Sequence, residues 1–93
     1  MDFKFSHNET KSQFELLIDD KYVAVISYNI KNNTLYLNHA GVPDELSGQG
    51  VGKVLAKNTF DYIKEHNLNA VAICPYLVAL VKRNPEWNFI EIL

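Results

Sequence analysis

The sequence has one cysteine, no long apolar run and no excess of positive charge, and each of these absences removes a class of protein. A single cysteine, Cys74, cannot form a disulfide within its own chain, so a cytoplasmic location is expected. The longest apolar run, Ala70 to Cys74, is far shorter than the roughly 20 residues of a membrane-spanning helix, and no membrane association is expected. The net charge of −2 lacks the basic face that nucleic-acid binding requires.

The chain is also poor in potential metal ligands. Its one cysteine and 3 histidines are scattered, and none forms a pair at a spacing typical of metal centres. We therefore predict no metal site. The 93 residues, 47% of them hydrophobic and 22% charged, are expected to form one domain over residues 1–93, as a monomer or a weak dimer.

The first half of the sequence alternates between apolar and polar residues, which is typical of antiparallel strands. The turn pairs Asp19-Asp20 and Asn32-Asn33 separate the alternating segments, and such short turns favour a meander of hairpins. The four predicted strands are Phe3 to Ser6, Phe14 to Ile18, Tyr22 to Ile30 and Thr34 to Val42.

The second half has a different period. Apolar residues from Val51 to Ile63 recur at helical spacing, and Asn67 is a stop signal. The remaining predicted elements are a buried strand from Ala70 to Cys74 parallel to its predecessor, a helix starting at Pro75, and an edge strand from Phe89 to Leu93. The sum is an α+β fold of order ββββαβα, with helices packed on the sheet.

A glycine-rich loop joins the two halves. Gly48, Gly50 and Gly52 are three of the chain's 4 glycines, and they stand between a strand and an amphipathic helix. The free N–H groups and the positive dipole end of a helix meet there, so the loop is a candidate anion site. A purely structural cap is the alternative interpretation.

Two familiar phosphate loops do not fit. A Walker A loop would need glycine at Ser47 and Ser or Thr at Val54, and in a dinucleotide loop the third glycine would come one residue later.

Val42-Pro43-Asp44-Glu45-Leu46 followed by the loop instead resembles motif A of the GNAT superfamily of CoA-dependent N-acyltransferases, Arg/Gln-x-x-Gly-x-Gly/Ala. The likeness is closest to a very short, single-domain subgroup, in which a His-x-x-Val-Pro segment precedes the loop and a cysteine follows the next strand. Here these are His39 to Pro43 and Cys74.

The resemblance implies acetyl-CoA, or coenzyme A, as the cofactor. It implies that the pantetheine arm enters a gap between splayed strands four and five, where the backbone of Val42 offers it hydrogen bonds. Ser47 replaces the Arg or Gln of the motif and removes a long side-chain donor. The residues expected at the diphosphate are Ser47, Gly48, Gln49, Gly50, Val51, Gly52 and Lys53.

The chemical step has two candidate residues. By resemblance Cys74 lies near the thioester, as nucleophile or acyl carrier, with His39 as general base. By strand alternation His39 lies on the face opposite Val42, unless a bulge at Gly41 resets the alternation. Burial of Cys74 as core filler is the alternative. Where many GNAT enzymes have a tyrosine as general acid, this chain has Val81, and Tyr76 is the nearest substitute.

These residues predict an acetyl-CoA-binding GNAT-like protein that moves an acetyl group to an amine, either on a small molecule or on a protein. A non-catalytic acyl-CoA-binding module or sensor is the alternative from another class. A plain interaction domain would require the glycine loop to be structural.

Overall fold

Four antiparallel strands begin the chain, and two helices alternate with the strands that follow. The computed structural model describes residues 1–92. The strands are β1 (Phe3–Asn8), β2 (Gln13–Ile18), β3 (Tyr22–Lys31), β4 (Thr34–Gly41), β5 (Asn69–Ala72) and β6 (Glu91–Ile92). The helices are α1 (Val51–Glu65) and α2 (Pro75–Arg83), with 3₁₀ turns at Asp44–Leu46 and Pro85–Trp87.

The hairpin turns form where the sequence predicts them. Asp19 and Asp20 both have φ of 53°, and Asn32 and Asn33 have φ of 52° and 62°. Two consecutive left-handed residues are typical of the turn that matches the twist of a hairpin, and Asn and Asp tolerate this conformation best among residues with a side chain. The meander of β1 to β4 follows from these turns.

Within the described residues the six strands form one sheet in the order β1-β2-β3-β4-β5-β6. β4 and β5 are parallel, with Thr34 to Leu37 opposite Asn69 to Ala72. The predicted α+β class and the parallel β5 are confirmed. β5 ends at Ala72, before Cys74, because Pro75 already starts α2. β6 is shorter than predicted, and Leu93 lies outside the described residues.

One face of the sheet carries the core. Alternate residues of β2, β3 and β4 are buried, and the inward faces of both helices join them in one apolar cluster. α1 packs on β2 and β3, whereas α2 packs on β4 and β5. The sheet thereby holds the starts of both helices close to the end of β4. Fully buried members of the cluster include Phe14, Leu16, Ile26, Leu37, Leu55, Phe60 and Leu77.

The bulge in β4 is not at Gly41, as suggested by the sequence, but earlier in the strand. Leu37 faces Tyr28 and His39 faces Ser27, so Asn38 is the extra residue. Gly41 pairs in register with Val25. The physical reason is the end of β5: β4 is held to β5 only as far as Leu37 and bends away directly after it.

No helix within residues 1–92 is long and apolar enough to cross a membrane.

Candidate functional site

The glycine loop leads directly into α1. Gly50 is the N-cap residue, with φ of 77° and ψ of 7°, and Gly48 has φ of 79°. Both conformations are left-handed, where a side chain is strained. A Cβ at either position would meet no atom within 4 Å, so both residues border open space. The loop therefore needs glycine for its backbone and leaves that backbone accessible.

Free amide groups collect at this point. The amide of Val54 donates to the carbonyl of Gly50 at 3.2 Å, which closes the first turn of α1. The amides of Val51, Gly52 and Lys53 precede that bond and have no acceptor within the helix. No side chain caps this helix start. Together with the positive end of the helix dipole, these amides make the helix start a candidate anion site.

An open cleft of about 480 Å³ lies beside this helix start. One wall comes from Ala40 and Val42, at and after the end of β4, and the other from the loop and α1. Most of the binding residues predicted from the sequence line this cleft, namely Val42, Ser47, Gly48, Gly50, Val51 and Gly52.

Two of the predicted binding residues lie outside the cleft lining. The side-chain amide of Gln49 donates to the carbonyl of Glu45 at 3.3 Å, which ties it back to the preceding 3₁₀ turn. Lys53 is exposed in the first turn of α1. Its charge can act on a bound anion only through solvent, where such interactions are weak.

The strands splay beside the cleft, as the resemblance implies. The carbonyl of Leu37 accepts hydrogen bonds from the amides of Ile73 and Cys74, both at 3.0 Å. Beyond this point, within the described chain, His39 to Gly41 pair with β3 alone. The backbone on the other side of β4 is left facing the gap.

The structure does not bring His39 and Cys74 together. Cys74 is 9% exposed, caps the start of α2 and belongs to the core cluster on the helix-covered face. His39 is exposed and stands opposite Ser27, on the other face of the sheet, with its Nε2 3.1 Å from the Cβ position of Gly41. Neither residue is part of the described cleft lining.

Tyr76 lines the cleft, although it was not among the site residues predicted from the sequence. Its hydroxyl lies 2.8 Å from the Cβ position of Gly52, against the first turn of α1. Burial, followed by the nearby charge of Cys74, raises the pKa of the Tyr76 phenol. The sequence singled it out only as the nearest substitute for the missing general acid.

Val81, which the resemblance places at the position of that acid, is 6% exposed and packs in the core.

A sheet whose fourth and fifth strands run parallel and then part beside a glycine loop and helix defines the GNAT-like class of α+β proteins. The profile of the GCN5-related N-acetyl-transferase family matches residues 13–90. The chain therefore belongs to the GCN5-related N-acetyltransferase family, which confirms the resemblance seen in the sequence. Acetyl-CoA binding is implied by the family.

Individual relatives align with this chain over nearly its whole length. The chain is 32% identical to "Protein NATD1" of Xenopus tropicalis over 93 residues, covering 97% of this chain and 84% of that protein. It is 31% identical to human "Protein NATD1", covering 97% and 81% of the two chains. The NMR solution structure of a GCN5-like protein from Staphylococcus aureus superposes with a TM-score of 0.70 at 28% identity, covering 97% of this chain and 87% of that one.

Proposed function

We propose that this protein binds acetyl-CoA in the cleft between β4 and the start of α1 and transfers its acetyl group to an amine. The observation that carries the proposal is the meeting of two features at one cleft. These are the free amides of the first turn of α1 and the half of β4 that loses its partner after Leu37.

The two features match the two ends of a CoA thioester. The diphosphate is an anion suited to backbone amides at a helix start, and Gly48 and Gly50 keep side chains out of its approach. The pantetheine arm contains amide groups like those of a peptide, so it can add to the open side of β4 near Val42 as a further strand would.

The transfer step is proposed to use Cys74. Its sulfur attacks the thioester carbonyl, the bond from the acetyl carbon to the CoA sulfur breaks, and CoA leaves as the thiol with the cysteine proton. The amine nitrogen then forms a bond to the acetyl carbon, the bond from that carbon to the Cys74 sulfur breaks, and the proton lost by the amine restores the cysteine thiol. The position of Cys74 at the start of α2 supports this step, since a helix N-terminus favours the thiolate. Burial of the thiol opposes it.

His39 can serve as the base only if it reaches the thioester side of the sheet. In the structure it stands on the other face, opposite Ser27, so a role as base requires a rearrangement of β4 that brings the imidazole to the cleft. The acceptor is proposed as an amine of a small molecule or of a protein. The cytoplasmic location stays a prediction from composition.

A non-catalytic acyl-CoA-binding module or sensor is the second candidate. The observation that favours it is the aliphatic, buried Val81 at the position of the usual general acid, combined with the low exposure of Cys74. A binder without turnover would keep the cleft and the loop but would need neither thiol nor imidazole.

Thermal melting with three nucleotide ligands tests the ligand class. A ligand that binds only the folded state at a hundredfold excess over its Kd stabilises it by roughly 2.7 kcal/mol. Acetyl-CoA should raise the melting temperature, while ATP and NAD, which lack the pantetheine arm, should do much less. Equal stabilisation by all three would reject the CoA assignment. Adding amines to the acetyl-CoA complex and measuring free CoA thiol distinguishes the two candidates. An acetyltransferase releases the thiol, whereas a non-catalytic binding module does not.

A further inference from the structure

Tyr76 connects the starts of the two helices. It sits in the first turn of α2, yet its hydroxyl lies 2.8 Å from the Cβ position of Gly52 in the first turn of α1. Contacts this short are essentially absent for real Cβ atoms, so any other residue at position 52 would displace the phenol. Glycine at position 52 therefore allows the hydroxyl to approach the backbone of α1.

The hydroxyl lies beside the backbone amides that are proposed to bind the diphosphate. Gly52 is one of the residues whose amides precede the first hydrogen bond of α1, and Tyr76 lines the same cleft as Gly48 and Gly50. The Tyr76 side chain is well exposed, at 44%, on the cleft side. A ligand that reaches the amides of this turn would also meet the phenol.

The phenol is in the right state to donate a hydrogen bond. A phenol keeps its proton at neutral pH, and burial, followed by the charge of Cys74, raises the pKa of Tyr76 further in the same direction. Hydrogen bonds from a neutral donor to an anionic oxygen are shorter and stronger than those between neutral groups. An uncharged phenol also avoids the unfavourable contact of a cation with the start of a helix.

The loop offers few side-chain donors at this turn. Ser47 is exposed, and its hydroxyl is on a short side chain. Gln49 donates to the carbonyl of Glu45, Lys53 lies outside the cleft lining, and no side chain of residues 1–92 caps the helix start. The Tyr76 hydroxyl comes from α2 and is a side-chain donor that does line the cleft.

We propose that the Tyr76 hydroxyl is a binding residue for the diphosphate of the CoA ligand and adds a side-chain donor to the backbone amides of this turn. The inference rests on the proposed function, because it requires the diphosphate to bind at α1. It gives Tyr76 a role in ligand binding rather than in proton transfer to the departing thiol.

Binding of three probes to wild type and Tyr76→Phe tests this role. Acetyl-CoA carries both ends, ADP carries the diphosphate without the arm, and S-acetylpantetheine carries the arm without the diphosphate. Tyr76→Phe should weaken acetyl-CoA and ADP by about tenfold, which corresponds to about 1.4 kcal/mol, and should leave S-acetylpantetheine unchanged. Tyr22→Phe, at the start of β3 outside the cleft lining, is the matched control and should change none of the three.

The outcomes separate this inference from the function on which it rests. If wild type binds neither acetyl-CoA nor ADP, the proposed function fails. If wild type binds both and Tyr76→Phe binds them equally well, the role of Tyr76 is overturned while the function stands. A loss confined to S-acetylpantetheine and acetyl-CoA would place the hydroxyl at the thioester, which also overturns the inference.

Gly52→Ala provides an independent test, because it displaces the hydroxyl without removing it. It should reproduce the tenfold loss for ADP, and the double variant with Tyr76→Phe should be no weaker than either single variant, since residues in contact are not additive. Losses that multiply in the double variant would mean that the two residues act separately and would overturn the proposed arrangement.

Discussion

The carbonyl oxygen of Leu37 accepts a hydrogen bond from the amide of Cys74 at 3.0 Å, at the point where β4 and β5 stop pairing. Three features of the site meet at this contact. The parallel ladder ends here, β4 turns away with Asn38 as a bulge, and Cys74 is the N-cap residue of α2. The gap between the strands and the position of the thiol therefore lie at the same point of the sheet.

The first prediction concerns the chemical role of Cys74. Incubation with acetyl-CoA should add one acetyl mass that hydroxylamine removes, because a helix start favours the thiolate. Intact-protein mass spectrometry measures the adduct, and Cys74→Ser should lack it while keeping acetyl-CoA binding, since the amides of α1 are untouched. Absence of any adduct on wild type that binds acetyl-CoA would favour the sensor over the enzyme.

The second prediction separates the anion site from helix stability. Gly50→Ala should abolish most of the acetyl-CoA-induced rise in melting temperature, because a Cβ at φ of 77° strains the turn that aims the amides at the cleft. Asn67→Ala, with φ of 52° after the other end of α1, is the matched control for strain alone. It should lower the melting temperature by a similar amount yet keep the acetyl-CoA shift. If folded Gly50→Ala keeps the full acetyl-CoA-induced rise in melting temperature, the loop is only a structural cap of the helix.

The third prediction concerns pH and the buried imidazole of His7. Its Nε2 lies 2.6 Å from the Tyr28 hydroxyl and its Nδ1 lies 3.0 Å from the Tyr62 hydroxyl, with a side chain only 10% exposed. Burial lowers the pKa of His7 below 6.5, Glu9 opposes the shift, and His66 adds to it. The unfolded chain then binds more protons than the folded chain just below pH 6.5, so stability is fully present above that value and is lost as pH falls towards the lowered pKa.

Melting temperatures between pH 7.5 and 5.5 measure this effect, in a range above most carboxylate titrations. Wild type should lose stability as the pH falls below about 6.5, whereas His7→Gln should show a flatter profile at a lower starting value. His39→Gln, on the opposite face of the sheet, should retain the wild-type slope. An unchanged slope in His7→Gln would assign the pH dependence to other groups.

The fourth prediction concerns a buried polar atom in α1. Thr59 is fully buried, and its hydroxyl oxygen has no hydrogen-bond partner among the described residues. Thr59→Val replaces the hydroxyl with a methyl group of similar size, so the free energy of unfolding should rise by about 1 kcal/mol. Urea denaturation measures the change. Thr34→Val is the control, because the exposed Thr34 hydroxyl already contacts the carbonyl of Asn32. A comparable rise in the free energy of unfolding for Thr34→Val would show that burial is not the cause.

The sequence by itself determined the order of the elements and the family. Alternation with a period of two, turn pairs of Asp and Asn, and a glycine run before an amphipathic helix are local signals, and each depends on residues adjacent in the chain. The loop residues that line the cleft were predicted for the same reason, since a left-handed glycine before a helix start is a local backbone property.

Only the tertiary structure decided which side chains share the site. His39 and Cys74 looked like partners in the sequence, but the bulge at Asn38 places the imidazole on the face away from the core cluster that contains the thiol. Tyr76 reaches Gly52 across 24 positions of the chain because α1 and α2 pack on the same sheet. Such relationships depend on strand register and helix packing, which are set by long-range contacts and leave no spacing pattern in the sequence.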